Sequence, residues 1–284
     1  MRGCGAEWVF RRIIKLNQMN DGWAVVTGAS SGIGLAFARE FSRRGYPVLA
    51  IARRRERLED LAKEMVQRGG PIEPLAADLN SPVGLESVVR RVDQLGQIEF
   101  LVNNAGVATA GDFLEASLPQ EIAEIRLNVE AVVTLTHRVL RGMVRSRRGA
   151  VINLASVVGF QPFPHFAVYA ATKAFVLSFT EALAEELRGT GVRLLALCPG
   201  AVKTEIDVFA HNEGLLGKLP SLTAEQVVKV GLRALDHGRV VKVVGGLNQF
   251  LPFMDRLMPR SAIRRLMGAS VKPAGTLHAE KVGS

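Results

Sequence analysis

The chain has 284 residues, 48% of them hydrophobic and 22% charged, and it carries a formal net charge of +9. This composition predicts one domain with a sizeable core, and it excludes a membrane-spanning helix because no apolar run reaches ~18 residues. The basic residues are scattered without interleaved aromatic side chains, so we expect no nucleic-acid partner, and the two cysteines, Cys4 and Cys198, fit a reducing, cytoplasmic location.

Organised sequence begins near Gly22. Residues 1–20 are predicted to form an N-terminal arm outside the domain. Three interpretations are open: an arm on the protein surface, a wrongly assigned start of translation, or a remnant of cloning. Met19 offers an alternative start. The stretch at 8–16 is basic and partly amphipathic, without a clean helical period or the features of a secretory signal. Contact of this arm with a membrane surface is the sharper alternative.

The first strand leads into a glycine-rich turn and a helix. The strand is the apolar run at 23–28, and a helical apolar pattern follows the turn and ends at Gly45. Glycines allow a tight turn and close approach to a phosphate, and a helix N-terminus offers unpaired N–H groups. We therefore predict a dinucleotide phosphate site with the spacing G-x-x-x-G-x-G, formed by Gly28, Ser30, Ser31, Gly32, Ile33 and Gly34.

The second strand, at 47–52, is followed by Arg53. At this position an acidic residue would bind the ribose 2′-hydroxyl of a dinucleotide, whereas an arginine accommodates a 2′-phosphate. Because no carboxylate precedes Glu56 and a guanidinium pairs well with phosphate, we predict NADP(H) rather than NAD(H) as cofactor. The alternative is that Arg53 only starts the charged amphipathic helix predicted at 54–67.

The third and fourth strands end in further candidate cofactor contacts. Asp78 and Leu79 follow the strand at 72–77, where the carboxylate either accepts a hydrogen bond from the adenine amine or caps the helix predicted at 85–95. The strand at 98–103 ends in amides that can tie neighbouring strands together and in small residues that let a flat group approach the backbone. These residues are Asn103, Asn104, Ala105 and Gly106.

A serine, a tyrosine and a lysine form the predicted reactive group. Ser156 follows the buried strand at 150–155, at the edge where ligands bind in open α/β sheets. Tyr169 and Lys173 lie four residues apart, on one face of a helix, and the ammonium should lower the pKa of the phenol from ~10 so that it can exchange a proton with an alcohol oxygen. Asn128, inside the helix predicted at 119–144, either makes core hydrogen bonds or kinks the helix, or it positions a water beside this tyrosine.

Two segments after Ser156 are predicted to complete the site. The loop that follows it should form the wall of a hydrophobic substrate pocket, from Val158, Phe160, Phe163 and His165. The turn after the sixth strand, at 192–197, should meet the nicotinamide carboxamide, through Pro199, Gly200, Val202 and Thr204.

The C-terminal third completes the fold. Residues 205–222 have no steady period and are typical of a lid, and a helix at 224–237 and a strand at 240–244 follow. Residues 251–284 are predicted to be an apolar C-terminal helix and a flexible tail, in which Arg264 and Arg265 offer a weak membrane contact.

Seven short apolar strands alternate with about six helices. This order predicts one doubly wound, Rossmann-like α/β domain at 21–250, with a seven-stranded parallel sheet and helices on both faces. No repeat or linker marks a second domain, and no metal site is predicted.

Taken together, these residues resemble the short-chain dehydrogenase/reductase family, in its short single-domain branch. The glycine spacing disfavours the longer branch that modifies sugar nucleotides. The matching pieces follow the order and spacing of the family over residues 22–250, and they are the segment 27–34, the segment 103–106, Asn128, Ser156, Tyr169, Lys173, Pro199 and Gly200.

The resemblance implies hydride transfer between a nicotinamide and a carbonyl or alcohol carbon. Tyr169 would be the general acid or base, and Lys173 would lower its pKa and bind the nicotinamide ribose. Ser156 would hold the substrate oxygen, and Asn128 would hold a relay water. The resemblance further implies a dimer or tetramer formed through the helices equivalent to 119–144 and 166–188.

Because NADPH pools usually serve reduction, we expect the protein to be a reductase. The apolar segments suggest a hydrophobic substrate, which is a ketone, an aldehyde, a 3-oxoacyl chain or a steroid-like alcohol. The alternative from another class is a non-catalytic NADP(H)-binding regulator or scaffold on the same fold. The presence of Ser156, Tyr169 and Lys173 argues against this alternative.

Overall fold

The computed structural model describes residues 20–66, 70–203, 205, 221–246 and 259–270. The strands are β1 (Trp23–Thr27), β2 (Val48–Ala52), β3 (Ile72–Ala76), β4 (Ile98–Asn103), β5 (Gly149–Leu154), β6 (Val192–Pro199) and β7 (Val241–Val244). The helices are α1 (Gly32–Arg43), α2 (Arg55–Val66), α3 (Pro82–Asp93), α4 (Leu118–Ile125), α5 (Ala131–Ser146), α6 (Ala167–Glu186), α7 (Ala224–Asp236) and α8 (Arg260–Ser270).

All seven strands form one parallel sheet in the order β3-β2-β1-β4-β5-β6-β7. The order reverses between β1 and β4, which are paired in the register Val26↔Val102. Ligands bind at such a switch point in open α/β sheets, outside the carboxyl ends of the strands. The sheet therefore directs the glycine-rich turn, the end of β4 and the end of β5 toward one crevice.

Helices cover both faces of the sheet, because the strands are apolar on both sides. One core cluster packs Phe37 and Phe41 of α1 with Leu61 of α2 and Val227 of α7. The other packs Val88 of α3 with residues of α5 that include Leu135 and Met143. The doubly wound fold expected from the sequence is confirmed.

The largest departure from the expected elements lies in the helix predicted at 119–144. A π-helical turn, Arg126–Glu130, interrupts it between α4 and α5. Such turns are frequent at functional sites, and this one contains Asn128. The predicted helix at 85–95 begins earlier, at Pro82, because Ser81 caps it by accepting the Gly84 N–H.

The C-terminal segments are described in part. Helix α8 spans Arg260–Ser270, within the segment 251–284 in which a C-terminal helix was expected. The N-terminal arm up to 19, the apolar stretch at 247–258 and most of the predicted lid lie outside the described residues. Among the helices that are described, none is long and apolar enough to cross a membrane.

Candidate active site

The glycine-rich turn keeps the N-terminus of α1 open at the carboxyl end of β1. Gly28 and Gly32 have φ angles of 67° and 55°. A Cβ at Gly34 would lie 2.3 Å from the Gly28 carbonyl oxygen, so the backbone can approach this closely only with glycine. Ser31 is the N-cap residue of α1, but its side chain makes no capping hydrogen bond. The first N–H groups of the helix are therefore available to a phosphate, and the turn fits a dinucleotide.

An arginine that the sequence reasoning passed over contacts this turn. The Nη2 of Arg54 donates to the Ser30 and Ser31 hydroxyls at 2.9 and 3.0 Å. Its Nη1 lies 2.7 Å from Glu205, which also pairs with Arg57. Arg53, the predicted 2′-phosphate ligand, has an exposed side chain. Two hydroxyls and a guanidinium thus form a polar pocket at the end of β2 together with the Glu205 carboxylate, which hydrogen-bonds to both Arg54 and Ser31. The hydroxyls and the guanidinium are groups of the chemistry that binds a phosphate.

The end of β4 is fastened to the glycine-rich turn by Thr27. Its hydroxyl accepts the N–H groups of Asn104 and Ala105, both at 2.9 Å, and donates to the Val102 carbonyl at 3.2 Å. The Asn104 side chain donates to the Thr27 carbonyl at 3.0 Å. Asn104 therefore ties the end of β4 to the end of β1, and the Ala105 backbone lies so close to Gly28 that a Cβ on Gly28 would be 3.0 Å from the Ala105 Cα.

Asn103 serves the core rather than the crevice. Its amide donates to Asn153 on β5 at 2.8 Å and to Thr136 on α5 at 2.9 Å, and Asn153 donates to Thr180 on α6 at 2.9 Å. This chain of buried side chains ties two strands to two helices, as expected for an amide at a strand end.

The remaining predicted cofactor contacts lie in several places. Asp78 accepts the Asn80 N–H at 3.0 Å and does not cap α3, because Ser81 does so. Leu79 is buried in the core cluster of α3 and α5, whereas Ile33 packs against the cluster of α1 and α7. Pro199 ends β6, the Gly200 N–H donates to Val244 at 3.3 Å, and Val202 is bridged to Leu222. Thr204 lies outside the described residues.

Ser156, Tyr169 and Lys173 are brought together beyond the carboxyl end of β5. All three are buried. Lys173 Nζ donates to the Leu154 carbonyl at 2.8 Å and lies 5.7 Å from the centre of the Tyr169 ring. The Ser156 hydroxyl hydrogen-bonds to the Tyr169 phenol, which lowers the pKa of that phenol, and it accepts the Val158 N–H at 3.4 Å.

The protonation of this group differs from the expectation. We expected Lys173 to lower the pKa of Tyr169, but burial outweighs the hydrogen bond from Ser156 and raises the pKa of Tyr169 to about 12. Burial likewise lowers the pKa of Lys173 to about 8. The ammonium is turned toward the Leu154 carbonyl, and desolvation disfavours the charged form of both groups.

Asn128 is held rigidly in the π-helical turn. Its side chain accepts the Val107 N–H at 3.1 Å and donates to the Val107 carbonyl at 2.9 Å and to the Thr172 hydroxyl at 3.1 Å. A Cβ at Gly106 would lie 3.0 Å from its Oδ1 and 3.6 Å from Lys173 Nζ. The amide therefore has a defined structural role, and its role toward a relay water stays a prediction.

The predicted pocket wall divides into two parts. Val158 and Phe163 pack in one buried cluster with Phe166 and Tyr169, which Ile263 and Met267 of α8 complete. Phe160 packs instead against the cluster of Val132, Ala155 and Val176, away from Tyr169. His165 is half-buried, with Nδ1 2.8 Å from the Asp112 carboxylate. An apolar wall thus lies beside the phenol, and α8 is part of it.

Sequence reasoning missed four groups around the site. From the sequence, we assigned the phosphate contact to Arg53 and not to the adjacent Arg54, and we gave no separate role to the Thr27 hydroxyl at the end of β1. Asn153 is the one polar residue in an otherwise apolar strand, which is a signal that was available. The fourth is Glu124, a fully buried acid four residues before Asn128, and that helical spacing would have indicated a side-chain pair.

Comparison with known proteins agrees with this geometry. The family profile of the short chain dehydrogenases matches residues 22–213. A short chain dehydrogenase of Pseudocercospora fijiensis is 40% identical over 192 residues, which cover 66% of this chain and 62% of that protein. A short-chain dehydrogenase from Sphingobium yanoikuyae, solved in complex with NADPH, is 32% identical with a TM-score of 0.74, over 90% of this chain and 98% of that one.

A solved ketoreductase is similar as well. The actinorhodin polyketide ketoreductase, solved as a variant with NADPH, is 29% identical with a TM-score of 0.72, over 82% of this chain and 99% of that one. The resemblance found in the sequence is confirmed.

Proposed function

We propose that this protein, which belongs to the short-chain dehydrogenase family, is an NADP(H)-dependent oxidoreductase that reduces a hydrophobic ketone, aldehyde or 3-oxoacyl substrate to an alcohol. The observation that carries the proposal is the convergence of the Ser156, Tyr169 and Lys173 side chains next to an open helix N-terminus. Each of the three groups acts on an oxygen that gains negative charge, which is what carbonyl reduction requires.

Each side chain of the site has its own role in the reduction. Bound NADPH would supply the hydride that reduces the carbonyl carbon. The Ser156 and Tyr169 hydroxyls hold the carbonyl oxygen by hydrogen bonds. With a pKa of about 12, Tyr169 keeps its proton until the stronger base, the forming alkoxide, takes it, so the phenol suits a general acid. With a pKa of about 8, Lys173 is mostly an ammonium at neutral pH and stabilises the phenolate that remains.

The choice of NADP(H) rests on the polar pocket at the end of β2. Arg54 and the Ser30 and Ser31 hydroxyls would hold the 2′-phosphate, with the exposed Arg53 next to Arg54 in the chain. The Sphingobium relative was solved with NADPH, which supports the same choice.

The substrate class rests on the apolar wall beside Tyr169. Val158, Phe163, Ile263 and Met267 are buried around the phenol, and a polar substrate would leave its own groups without hydrogen bonds there. We expect long-chain and cyclic ketones to be reduced with a higher kcat/KM than small polyols or their ketones. Turnover confined to small polar carbonyls would refute this part of the proposal.

Cofactor binding and turnover are tested together. The purified protein is titrated with NADPH and NADH, and loss of reduced nicotinamide is then followed over a panel of hydrophobic carbonyls for wild type and Tyr169→Phe. We expect NADPH consumption that disappears in the variant, because phenylalanine keeps the ring and removes the proton donor. Tight NADPH binding without turnover on the panel would support the regulator instead, and failure to bind either nucleotide would overturn the cofactor assignment.

We further propose that the protein is a homodimer or homotetramer, assembled through α4 and α6. These two helices pack together and expose Leu118, Ile122 and Ile125 on one and Phe175 on the other. Phe175 is 40% exposed and stacks on Phe179, with ring centres 5.5 Å apart. Such a patch is typical of an association surface.

The assembly is tested by one matched pair of variants. Phe175→Glu should shift light scattering to the monomer mass, because it places a charge in the patch. Leu266→Glu on α8 has the same chemistry at a residue 43% exposed and should leave the mass unchanged. Wild type at the monomer mass would refute the assembly.

A cytoplasmic location also belongs to the proposal. Cys198 is a free thiol buried in β6, and burial raises the pKa of this thiol to about 12, so it stays protonated and inert. Cell fractionation tests the location. Sedimentation with anionic liposomes tests the remaining alternative, contact of either terminus with a membrane surface.

A further inference from the structure

Helix α4 buries acidic residues and exposes apolar ones, the reverse of the usual arrangement. Its buried residues are the acids Glu121 and Glu124, whereas Leu118, Ile122 and Ile125 are exposed. Glu124 has no exposed surface at all. A carboxyl is almost never fully buried unless it is paired, because removing it from water costs several kcal/mol. Its position therefore calls for partners that compensate for burial.

The partners of Glu124 lie on the segment after β4. Its Oε2 accepts the Thr109 N–H at 2.9 Å and also the Thr109 hydroxyl. One helical turn later, Asn128 holds both backbone groups of Val107. Glu124 near the end of α4 and Asn128 in the π-helical turn thus fasten alternate residues of the segment 107–109. This segment follows Gly106, where a Cβ would lie 3.6 Å from Lys173 Nζ. Glu124 Oε1 lies 3.5 Å from Asn128 Nδ2, so the two fastenings adjoin.

Glu124 is also the acid that acts on the reactive pair. Its charge raises the pKa of Lys173 and the pKa of Tyr169, both on α6. Burial, together with Glu121 on its own helix, raises the pKa of Glu124 to about 7, against the hydrogen bonds from Thr109 and the charge of Lys173. The charge of Glu121 on the same helix raises this pKa and the charge of Lys173 on α6 lowers it, and Tyr169 on α6 is a further titratable group with which Glu124 interacts.

We propose that Glu124 is a positioning residue of the reductase, a buried acid that fastens the segment 107–109 beside the site and supplies the negative charge that balances the Lys173 ammonium. This inference rests on the proposed function for its kinetic consequence, whereas its structural part stands independently.

The kinetic test compares Glu124→Gln with Glu121→Gln. Both remove a buried charge from the same helix, but only the first removes the charge that acts on Lys173. The pH profile of kcat/KM reports the pKa values of the free enzyme. We expect its alkaline limb, set by Lys173, to move to lower pH by on the order of one unit in Glu124→Gln, because an opposite charge nearby contributes that much.

The same pair separates a positioning role from general damage. We expect kcat at neutral pH to fall on the order of tenfold in Glu124→Gln, with KM for the nucleotide nearly unchanged. Residues that share a hydrogen-bond network commonly show interaction energies that correspond to a factor of this size. Glu121→Gln should keep the wild-type limb. An unchanged limb in Glu124→Gln, or an equal movement in both variants, would overturn the charge-balancing role.

Two measurements do not depend on turnover. A protonated buried carboxyl gives an infrared carbonyl band that should titrate near neutral pH in wild type and in Glu121→Gln and be missing in Glu124→Gln. Thr109→Val, which keeps the backbone N–H, should raise the pH at which the band disappears. The Thr109 amide should exchange with solvent faster in Glu124→Ala than in Glu121→Ala.

The outcomes of these two measurements are distinct from failure of the proposed function. A wild-type protein without turnover would refute the reductase and leave both structural readouts valid. Absence of the titrating band, or equal exchange of the Thr109 amide in both variants, would overturn the inference itself, even in an active enzyme. If Glu124→Gln does not fold, Thr109→Val carries the test, because an unchanged band there would refute the contact.

Discussion

Replacing Arg54 by alanine should weaken NADPH binding about 10- to 30-fold and leave NADH binding nearly unchanged. Arg54 Nη2 lies 2.9 and 3.0 Å from the Ser30 and Ser31 hydroxyls, so a phosphate held by these hydroxyls would also meet the guanidinium. A hydrogen bond to a charged group contributes ~1.5–3 kcal/mol. The side chain is 36% exposed and already paired with Glu205, so we take the lower end, about 1.5–2 kcal/mol.

The assay is a fluorescence titration of each nucleotide, which needs no substrate. Arg53→Ala is the matched control, since it removes the same charge from the neighbouring residue with an exposed side chain. We expect it to change both affinities by no more than about threefold, in keeping with the small contribution of exposed charges. A loss in Arg53→Ala equal to that in Arg54→Ala would refute the assignment to Arg54. An equal loss for NADH would show that Arg54 does not discriminate the phosphate.

Three further perturbations test other parts of the structure. Thr27→Val leaves the Ala105 N–H without its acceptor, so we expect the free energy of unfolding to fall by about 2–3 kcal/mol and the melting temperature by about 4–12 °C, with Thr27→Ser near wild type by calorimetry; equal losses in both variants would contradict this. Lys173→Met should abolish reduction without lowering the free energy of unfolding at neutral pH. Burial lowers the pKa of Lys173 to about 8 from 10.5, so holding the proton in the folded state costs about 3 kcal/mol. Since the unfolded chain binds this proton more tightly, wild-type stability should rise relative to the variant between pH 8 and 10.5, and a flat difference in urea denaturation would refute the reasoning. Asn153→Leu leaves buried Asn103 without its acceptor, and its urea midpoint should drop by the equivalent of about 2–4 kcal/mol; a midpoint near wild type would show that the amide chain does not stabilise the core.

The order and type of elements could be predicted because each strand is a short apolar run and each helix has an apolar period. Parallel strands end at one edge, so the residues that follow them could be assigned to one site before any coordinates. Ser156, Tyr169 and Lys173 do meet there. Such reasoning works where burial follows hydrophobicity and where function follows position along a strand.

The errors arose where burial and charge act against local pattern. Spacing alone predicted that Lys173 would lower the pKa of Tyr169, but the degree of burial decides that balance, and spacing does not report burial. Helical periodicity assigned Asn128 to one continuous helix, whereas its hydrogen bonds are accommodated by a π-helical turn. The contact of Arg54 with the glycine-rich turn was not predicted, because side-chain direction just before α2 is a tertiary property, and the role of Arg53 as a 2′-phosphate ligand stays a prediction.

The buried acids and exposed apolar residues of α4 would mislead a redesign of this protein. A procedure that optimises sequence by hydrophobic pattern would replace Glu124 by leucine and Ile122 by lysine, and each change taken alone would look like a gain in stability. The product would fill its core better, but it would have lost the acid that fastens the segment 107–109 and the exposed apolar residues through which we propose that subunits associate. Thermostabilised versions of this enzyme should therefore be sought in libraries that hold residues 118–128 constant.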